Sequence, residues 1–112
     1  MAVRVLIVDD QEPFRQAARA VVELTDGFEA VGEAETGEAG VDRARELQPD
    51  LVLLDVNLPG IDGLEATRRI LSESDGRVVV LMVSTYEADE YAPRAAEAGA
   101  AAYIPKSELE PN

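Results

Sequence analysis

Short apolar runs alternate along this chain with stretches in which apolar residues return every three or four positions. Val3–Val8, Leu51–Leu54 and Val78–Val83 are continuous and rich in β-branched residues, the pattern of strands buried on both faces of a parallel sheet. Phe28–Val31 and Ala101–Ile104 are shorter and weaker, which suits the two edges. Phe14, Ala17, Ala18, Val21 and Val22 follow the i, i+3, i+4, i+7, i+8 spacing of an amphipathic helix, and Ala39–Leu47 and Leu64–Leu71 carry similar patterns. Turn chemistry falls between the elements, at Asp26-Gly27, Gln48-Pro49-Asp50, Leu58-Pro59-Gly60 and Asp75-Gly76. The order is β-α-β-α-β-α-β-α-β. It predicts an α/β fold, a doubly wound parallel sheet with right-handed crossovers and helices on both faces.

Two places break the pattern. Pro93 falls in the middle of the expected fourth helix, where proline costs about 3 kcal/mol. The expectation is a helix that begins near Pro93 or breaks there, leaving Ser84–Ala92 as a long mobile loop; a continuous helix from Glu87 through Glu97 would contradict it. The other place is the end. Only Ser107–Asn112 follow Lys106, too few for a further helix. A shortened chain is the favoured reading, and the sheet surface beside the first helix, under strands four and five, is expected to expose apolar area that invites dimerisation or element exchange.

At 112 residues the chain makes one domain, residues 1–112. No apolar run approaches the roughly 20 residues of a membrane span, and Met1-Ala2-Val3-Arg4 has no leader pattern, so a cytoplasmic protein is expected. The net charge of −13 repels nucleic-acid phosphates and argues against direct nucleic-acid binding. It draws cations instead. There is no cysteine and no histidine, so neither thiolate nor imidazole chemistry is open to it, and its chemistry rests on carboxylates, hydroxyls and lysine.

Four polar features follow four of the apolar runs: Asp9-Asp10, Asp55, Ser84-Thr85 and Lys106. In an open parallel sheet the carboxyl ends of the strands share one edge, where ligands bind. Taken singly, each has a plainer explanation as a helix cap, a turn residue, a loop hydroxyl or a solvated cation. Together they would place three acids close to one another, which calls for a compensating cation. Mg²⁺ suits such oxygen ligands. Asp55 could then attack phosphorus as a carboxylate nucleophile, with Asp10 holding the metal, Lys106 pairing with a phosphoryl oxygen and Ser84 donating to another.

The segments Val5-Leu6-Ile7-Val8-Asp9-Asp10, Pro49 through Gly63 (PDLVLLDVNLPGIDG), Val83-Ser84-Thr85 and Gly99 through Lys106 (GAAAYIPK) closely resemble bacterial response-regulator receiver domains of the two-component systems, in order and spacing. The resemblance covers about residues 3 to 106, and Gly27 to Ile70 looks most like receivers of the NarL type, which usually precede a DNA-binding helix-turn-helix domain. It implies a flavodoxin-like sheet of order 2-1-3-4-5 with the fifth helix missing or shortened. It implies Asp55 as the phosphoacceptor, Asp10, Asp55 and the Asn57 backbone carbonyl as Mg²⁺ ligands, and Asp9 acting on the metal through water. Lys106 matches the phosphate-pairing lysine, Ser84 and Tyr103 the pair that shifts on activation. The Asn57 side chain and Tyr86 match positions that tune hydrolysis. A sensor histidine kinase is the implied donor, and the chain itself would be no enzyme beyond slow loss of its own phosphoryl group. Ser107 stands where many receivers have proline.

Other readings stay open at this point. A haloacid-dehalogenase-like phosphatase also uses Asp, Mg²⁺, a hydroxyl and Lys, but its nucleophile follows the first strand in an Asp-x-Asp motif, whereas this chain has Asp9-Asp10-Gln11 and its Lys comes last. A flavodoxin-like cofactor module would need a phosphate-cradling loop where Asp9–Pro13 offers carboxylates. A phosphorylation-independent interaction domain would retain the fold alone.

Overall fold

The three continuous apolar runs become the three inner strands of the sheet. In the computed structural model, which describes residues 2–84 and 88–108, β1 (Val3–Val8), β3 (Leu51–Asp55) and β4 (Val79–Ser84) lie between β2 (Phe28–Ala34) and β5 (Ala102–Pro105). All pairings are parallel, and the order is β2-β1-β3-β4-β5. Val5, Leu6, Ile7 and Val8 are wholly buried, because both faces of the inner strands are covered.

One face packs Leu6, Val8, Val52, Leu54, Val80 and Met82 against α2 (Gly37–Leu47), α3 (Gly63–Ser74) and α4 (Ala88–Ala98). The other packs Val5, Ile7, Leu53 and Val83 against Phe14, Ala18 and Val22 of α1 (Glu12–Glu23). Val21 belongs to the helical pattern but turns outward, 38% exposed. On this second face Val79 is 45% exposed, and Leu81 and Ile104 are only partly buried, in keeping with the apolar area expected beside the first helix.

Local chemistry fixes the helix ends. The Thr36 side chain accepts from the Ala39 N–H at 3.0 Å, and Asp62 accepts from the Glu65 N–H at 2.9 Å, satisfying donors that a helix start leaves unpaired. Arg4 Nη1 donates to the carbonyls of Leu47 and Gln48 at the other end of α2, a cation at a helix carboxyl terminus.

Two expectations require correction. The second strand runs on to Ala34, past Val31, because the register with β1 slips between Val5 and Leu6 and pairing resumes at Gly32. A bulge of this kind interrupts the apolar alternation without ending the strand. The fourth helix is continuous from Ala88 to Ala98 with Pro93 inside it; it neither begins nor breaks at Pro93. Its carboxyl half is anchored by Ala95 and Ala98, both buried in the core, and Pro93 sits on the exposed side. Tertiary packing outweighs one missing N–H. Residues 85–87 of the expected loop lie outside the described residues. Pro93→Ala is expected to raise stability by about 1–2 kcal/mol, less than the full proline penalty because the unfolded chain also gains freedom; urea unfolding measures it.

Candidate functional site

Strand register assembles the site. Val8 pairs with Leu54, Leu54 with Met82, and Met82 with Tyr103. The residues just past this row are Asp9, Asp55, Val83 and Ile104, followed by Asp10, Ser84 and Lys106 at one rim. The Asp9 N–H donates to the Ala34 carbonyl at 3.0 Å and the Val56 N–H to the Val83 carbonyl at 3.1 Å, so the sheet's hydrogen bonding continues into the loops that carry the acids.

Asp9, Asp10 and Asp55 offer carboxylate oxygens that all lie within 4.8 Å of one another. Asp9 is wholly buried and Asp55 nearly so, while Asp10 is exposed and opens the cluster to solvent. Lys106 is buried too. Its Nζ stands 2.7 Å from Asp9 Oδ2 and 3.5 Å from Asp55 Oδ2, and donates to Gln11 Oε1 at 3.1 Å. The Phe14 ring lies beneath it, 4.4 Å from Nζ to the centroid, a favourable seat for a desolvated ammonium. Asp9 is thus the nearest acid to this lysine.

Burial first, then the neighbouring Asp9 charge, push the Asp55 carboxyl up from 3.8 to about 6; Lys106 and the Asn57 backbone N–H pull the other way. The Gln11 N–H donates to Asp9 Oδ1 at 2.8 Å. Asp9 Oδ2 accepts no hydrogen bond of regular geometry among the described residues. Its partner is the Lys106 ammonium at 2.7 Å, and a carboxylate oxygen has a second lone pair to offer. Carboxylates with oxygen to spare are what a hard divalent ion needs, and the residues present fit Mg²⁺.

Ser84 ends β4, wholly buried, on the same sheet face as Met82 and Tyr103. Tyr103 is half-buried and packs against the core on the α2–α4 face. Asn57 is exposed at the mouth, and its backbone N–H faces the Asp55 carboxylate. Ser107 is exposed, and the Lys106–Ser107 bond is trans, as are the other described peptide bonds. Thr85 and Tyr86 lie outside the described residues. The structure therefore brings together Asp9, Asp10, Asp55 and Lys106, with Ser84 at the same rim and Tyr103 one row back.

Sequence reasoning passed over Gln11, Phe14 and Arg15 as site neighbours. Phe14 counted only as core, and Arg15 counted as nothing, although an arginine directly after a core aromatic, with Glu33 and Glu35 in the adjoining strand region, is a signal that could have been followed. A cavity of about 520 Å³ lies at the opposite end of the sheet, floored by Val41, Ala44, Ile70 and Val78 with Arg45 and Glu73 at its rim. None of the clustered acids lines it, so charge and register, not concavity, locate the site.

Residues 5–111 match the family described as response regulator receiver domain. The chain is 44% identical over 104 residues to the response regulator GacA of Pseudomonas viridiflava, covering 93% of this chain and 48% of that protein. It is 38% identical over 108 residues to the nitrate/nitrite response regulator protein NarL of Escherichia coli K12, covering 96% and 49%. A two-component response regulator of the LuxR family from Aurantimonas sp. SI85-9A1 superposes with a TM-score of 0.89 at 36% identity, covering 96% of this chain and 76% of that one. This chain thus spans about half the length of the full-length relatives it matches.

Proposed function

Because the chain belongs to the response regulator receiver domain family, we propose that Asp55 accepts a phosphoryl group from a histidine of a partner kinase and that the charge so placed switches an output. The observation that carries this reading is the meeting of Asp9, Asp10 and Asp55 within 4.8 Å beside Lys106. An Asp55 carboxylate oxygen forms the new bond to phosphorus as the donor's N–P bond breaks, and the electron pair of that bond returns to the imidazole nitrogen, which takes up a proton. Asp10, Asp55 and the Asn57 carbonyl would hold Mg²⁺, with Asp9 behind them acting through water. When bound, the ion neutralises charge on the phosphoryl oxygens. Lys106 then exchanges part of its hold on Asp9 for a phosphoryl oxygen, a movement of a side chain already seated between the two acids. Ser84 donates to another oxygen, and Tyr103, on the same face, follows it inward.

The phosphoryl group carries roughly −1.5 to −2 charge and three acceptor oxygens. The output is a shift of population between two arrangements of the β4–α4 and β5 surface. Residues 1–112 form the receiver, and, as the resemblance to NarL-type receivers implies, a helix-turn-helix output domain that controls transcription would be joined to it. No helix among the described residues is long and apolar enough to cross a membrane, in keeping with a cytoplasmic switch. Asn57 and Tyr86 would set how long the phosphoryl group survives.

The test is direct. Incubation with a small phosphodonor and Mg²⁺ is expected to give a single phosphoryl mass adduct, labile to hydroxylamine and absent in Asp55→Asn. Turnover of the donor without an adduct would point to a phosphatase, and neither adduct nor turnover to a domain that signals without phosphorylation.

A further inference from the structure

The peptide that joins Asp9 to Asp10 is held from behind by a buried cation. Arg15, in the first turns of α1, is 7% exposed, and each arm of its guanidinium has a different acceptor. Nη1 donates to the Asp9 carbonyl at 2.8 Å, Nε to Glu33 Oε1 at 3.0 Å, and Nη2 to Glu35 Oε1 at 3.2 Å. Glu33 is shared with Arg19, whose Nε donates to its other oxygen at 2.9 Å. Burying a guanidinium is unfavourable unless its hydrogen bonds are met, and here the partners come from the strand end beside the acids.

From this arrangement we infer that Arg15 is a positioning residue for the phosphoryl-accepting site, fixing the Asp9–Asp10 peptide so that both acids present their carboxylates to one divalent ion. The inference rests on the phosphoacceptor reading above. The carbonyl that Arg15 grips belongs to the peptide whose rotation would swing Asp9 and Asp10 apart: turning that plane changes ψ of Asp9 and φ of Asp10 together. Asp9 is pinned on its other side by the Gln11 N–H, but Asp10 is exposed, so the backbone behind it does most to set its direction. Two arginines and three glutamates make up the network, Glu23 joining through Arg19 at 3.8 Å; it carries a single net negative charge, and what it adds to the site is placement more than net field. The guanidinium spreads its donors over three nitrogens in a fixed plane and so meets acceptors on three sides, a geometry the single nitrogen of lysine does not reproduce.

Groups that orient metal ligands from behind typically change metal affinity by about 10- to 100-fold when removed. Mn²⁺ binding, read from the loss of the free-ion electron paramagnetic resonance signal, is to be compared in the wild type, Arg15→Met, Arg15→Lys and Arg19→Met, alongside the metal dependence of phosphorylation by phosphoramidate. Arg15→Met is expected to weaken Mn²⁺ binding about tenfold or more while the phosphorylation rate at saturating metal stays near the wild-type value. Arg15→Lys is expected to fall between the two, and Arg19→Met, which breaks an ion pair of the same network without touching Asp9, to bind like the wild type. Unchanged binding in Arg15→Met, or equal weakening in Arg19→Met, overturns the inference while leaving the phosphoacceptor reading intact. Should Arg15→Met fail to fold, Arg15→Lys decides: it keeps the charge and gives up the fork, and wild-type affinity in it overturns the inference. A wild-type protein that neither binds Mn²⁺ nor gains an adduct overturns the reading beneath it.

Discussion

Asp55→Asn is expected to make the metal-free protein more stable at pH 8, by about 1–2 kcal/mol, even as it removes the phosphoacceptor. The Asp55 carboxyl is raised from 3.8 to about 6, chiefly by burial and then by Asp9. A folded state that holds its proton more tightly than the unfolded chain loses stability as pH rises. Stability from this group is therefore complete below about pH 4, falls through the range from 3.8 to 6, and is lost above it. At 1.36 kcal/mol per pH unit the rise is worth at most about 3 kcal/mol, and screening by solvent reaching the cluster past Asp10 reduces that to about 1–2 kcal/mol. Asparagine keeps the shape and discards the charge, while Lys106 retains its nearer partner Asp9. Calorimetry with a chelator present should show the variant melting roughly 5–10 °C higher at pH 8, with the gap closing as pH falls towards 4. Mg²⁺ should stabilise the wild type more than the variant, since a ligand bound only by the folded state adds to its stability. A variant that is less stable than the wild type at pH 8 without metal would mean that Asp55 is held by its hydrogen bonds more than it is strained by burial.

Gly63→Ala should be more damaging than any single truncation on the helix surfaces. A Cβ at Gly63 would lie 2.3 Å from the Asp55 carbonyl oxygen, 2.7 Å from Val56 Cα and 2.9 Å from Leu54 Cδ2. The first two are backbone atoms of the strand end that carries the phosphoacceptor, so no side-chain rotation relieves the clash. Either α3 backs away, breaking the 2.9 Å hydrogen bond from the Gly63 N–H to the Val56 carbonyl, or the Asp55 loop shifts. Overpacking of this kind costs about 3 kcal/mol, measurable by urea unfolding. A displacement near 1 Å at the nucleophile can lower the rate about 100-fold, read from phosphorylation by a small donor. Gly76→Ala is the comparison: its Cβ would meet nothing within 4 Å, but its φ of +72° strains any L side chain, so it shows what a left-handed backbone costs without a clash, about 1–2 kcal/mol. If the two variants unfold alike, the close approach of α3 to Asp55 is not what the glycine secures.

What could be read from the sequence was what repeats or recurs. Val5–Val8 and Val52–Leu54 declared themselves because an inner strand is apolar on both faces. The apolar part of β2 ends at Val31, yet the backbone pairs on to Ala34 and Glu33 is there to meet Arg15 and Arg19. Pro93 misled for a different reason: its local penalty is real, but Ala95 and Ala98 packing into the core is a long-range term that no local rule contains. The acids, the hydroxyl and Lys106 were legible as a set, since each follows a strand. The pairing of Lys106 with Asp9, its seat on Phe14, and the grip of Arg15 on the Asp9 carbonyl were not. They depend on where side chains point once α1 has docked, which the alternation of runs does not specify.

The sheet order has a consequence for how the protein is made. Of the five strands β1 is made first, yet it is a central strand, flanked by β2 and β3. By the time Asp55 has emerged, β1, β2, β3, α1 and α2 have all been synthesised, and three adjacent strands with a helix for each face can pair without waiting for the rest. β4 and β5 then join at one growing edge in the order of their synthesis, so each newcomer finds its neighbour already in place. Lys106 arrives last, closing the charge of acids that were buried ahead of it.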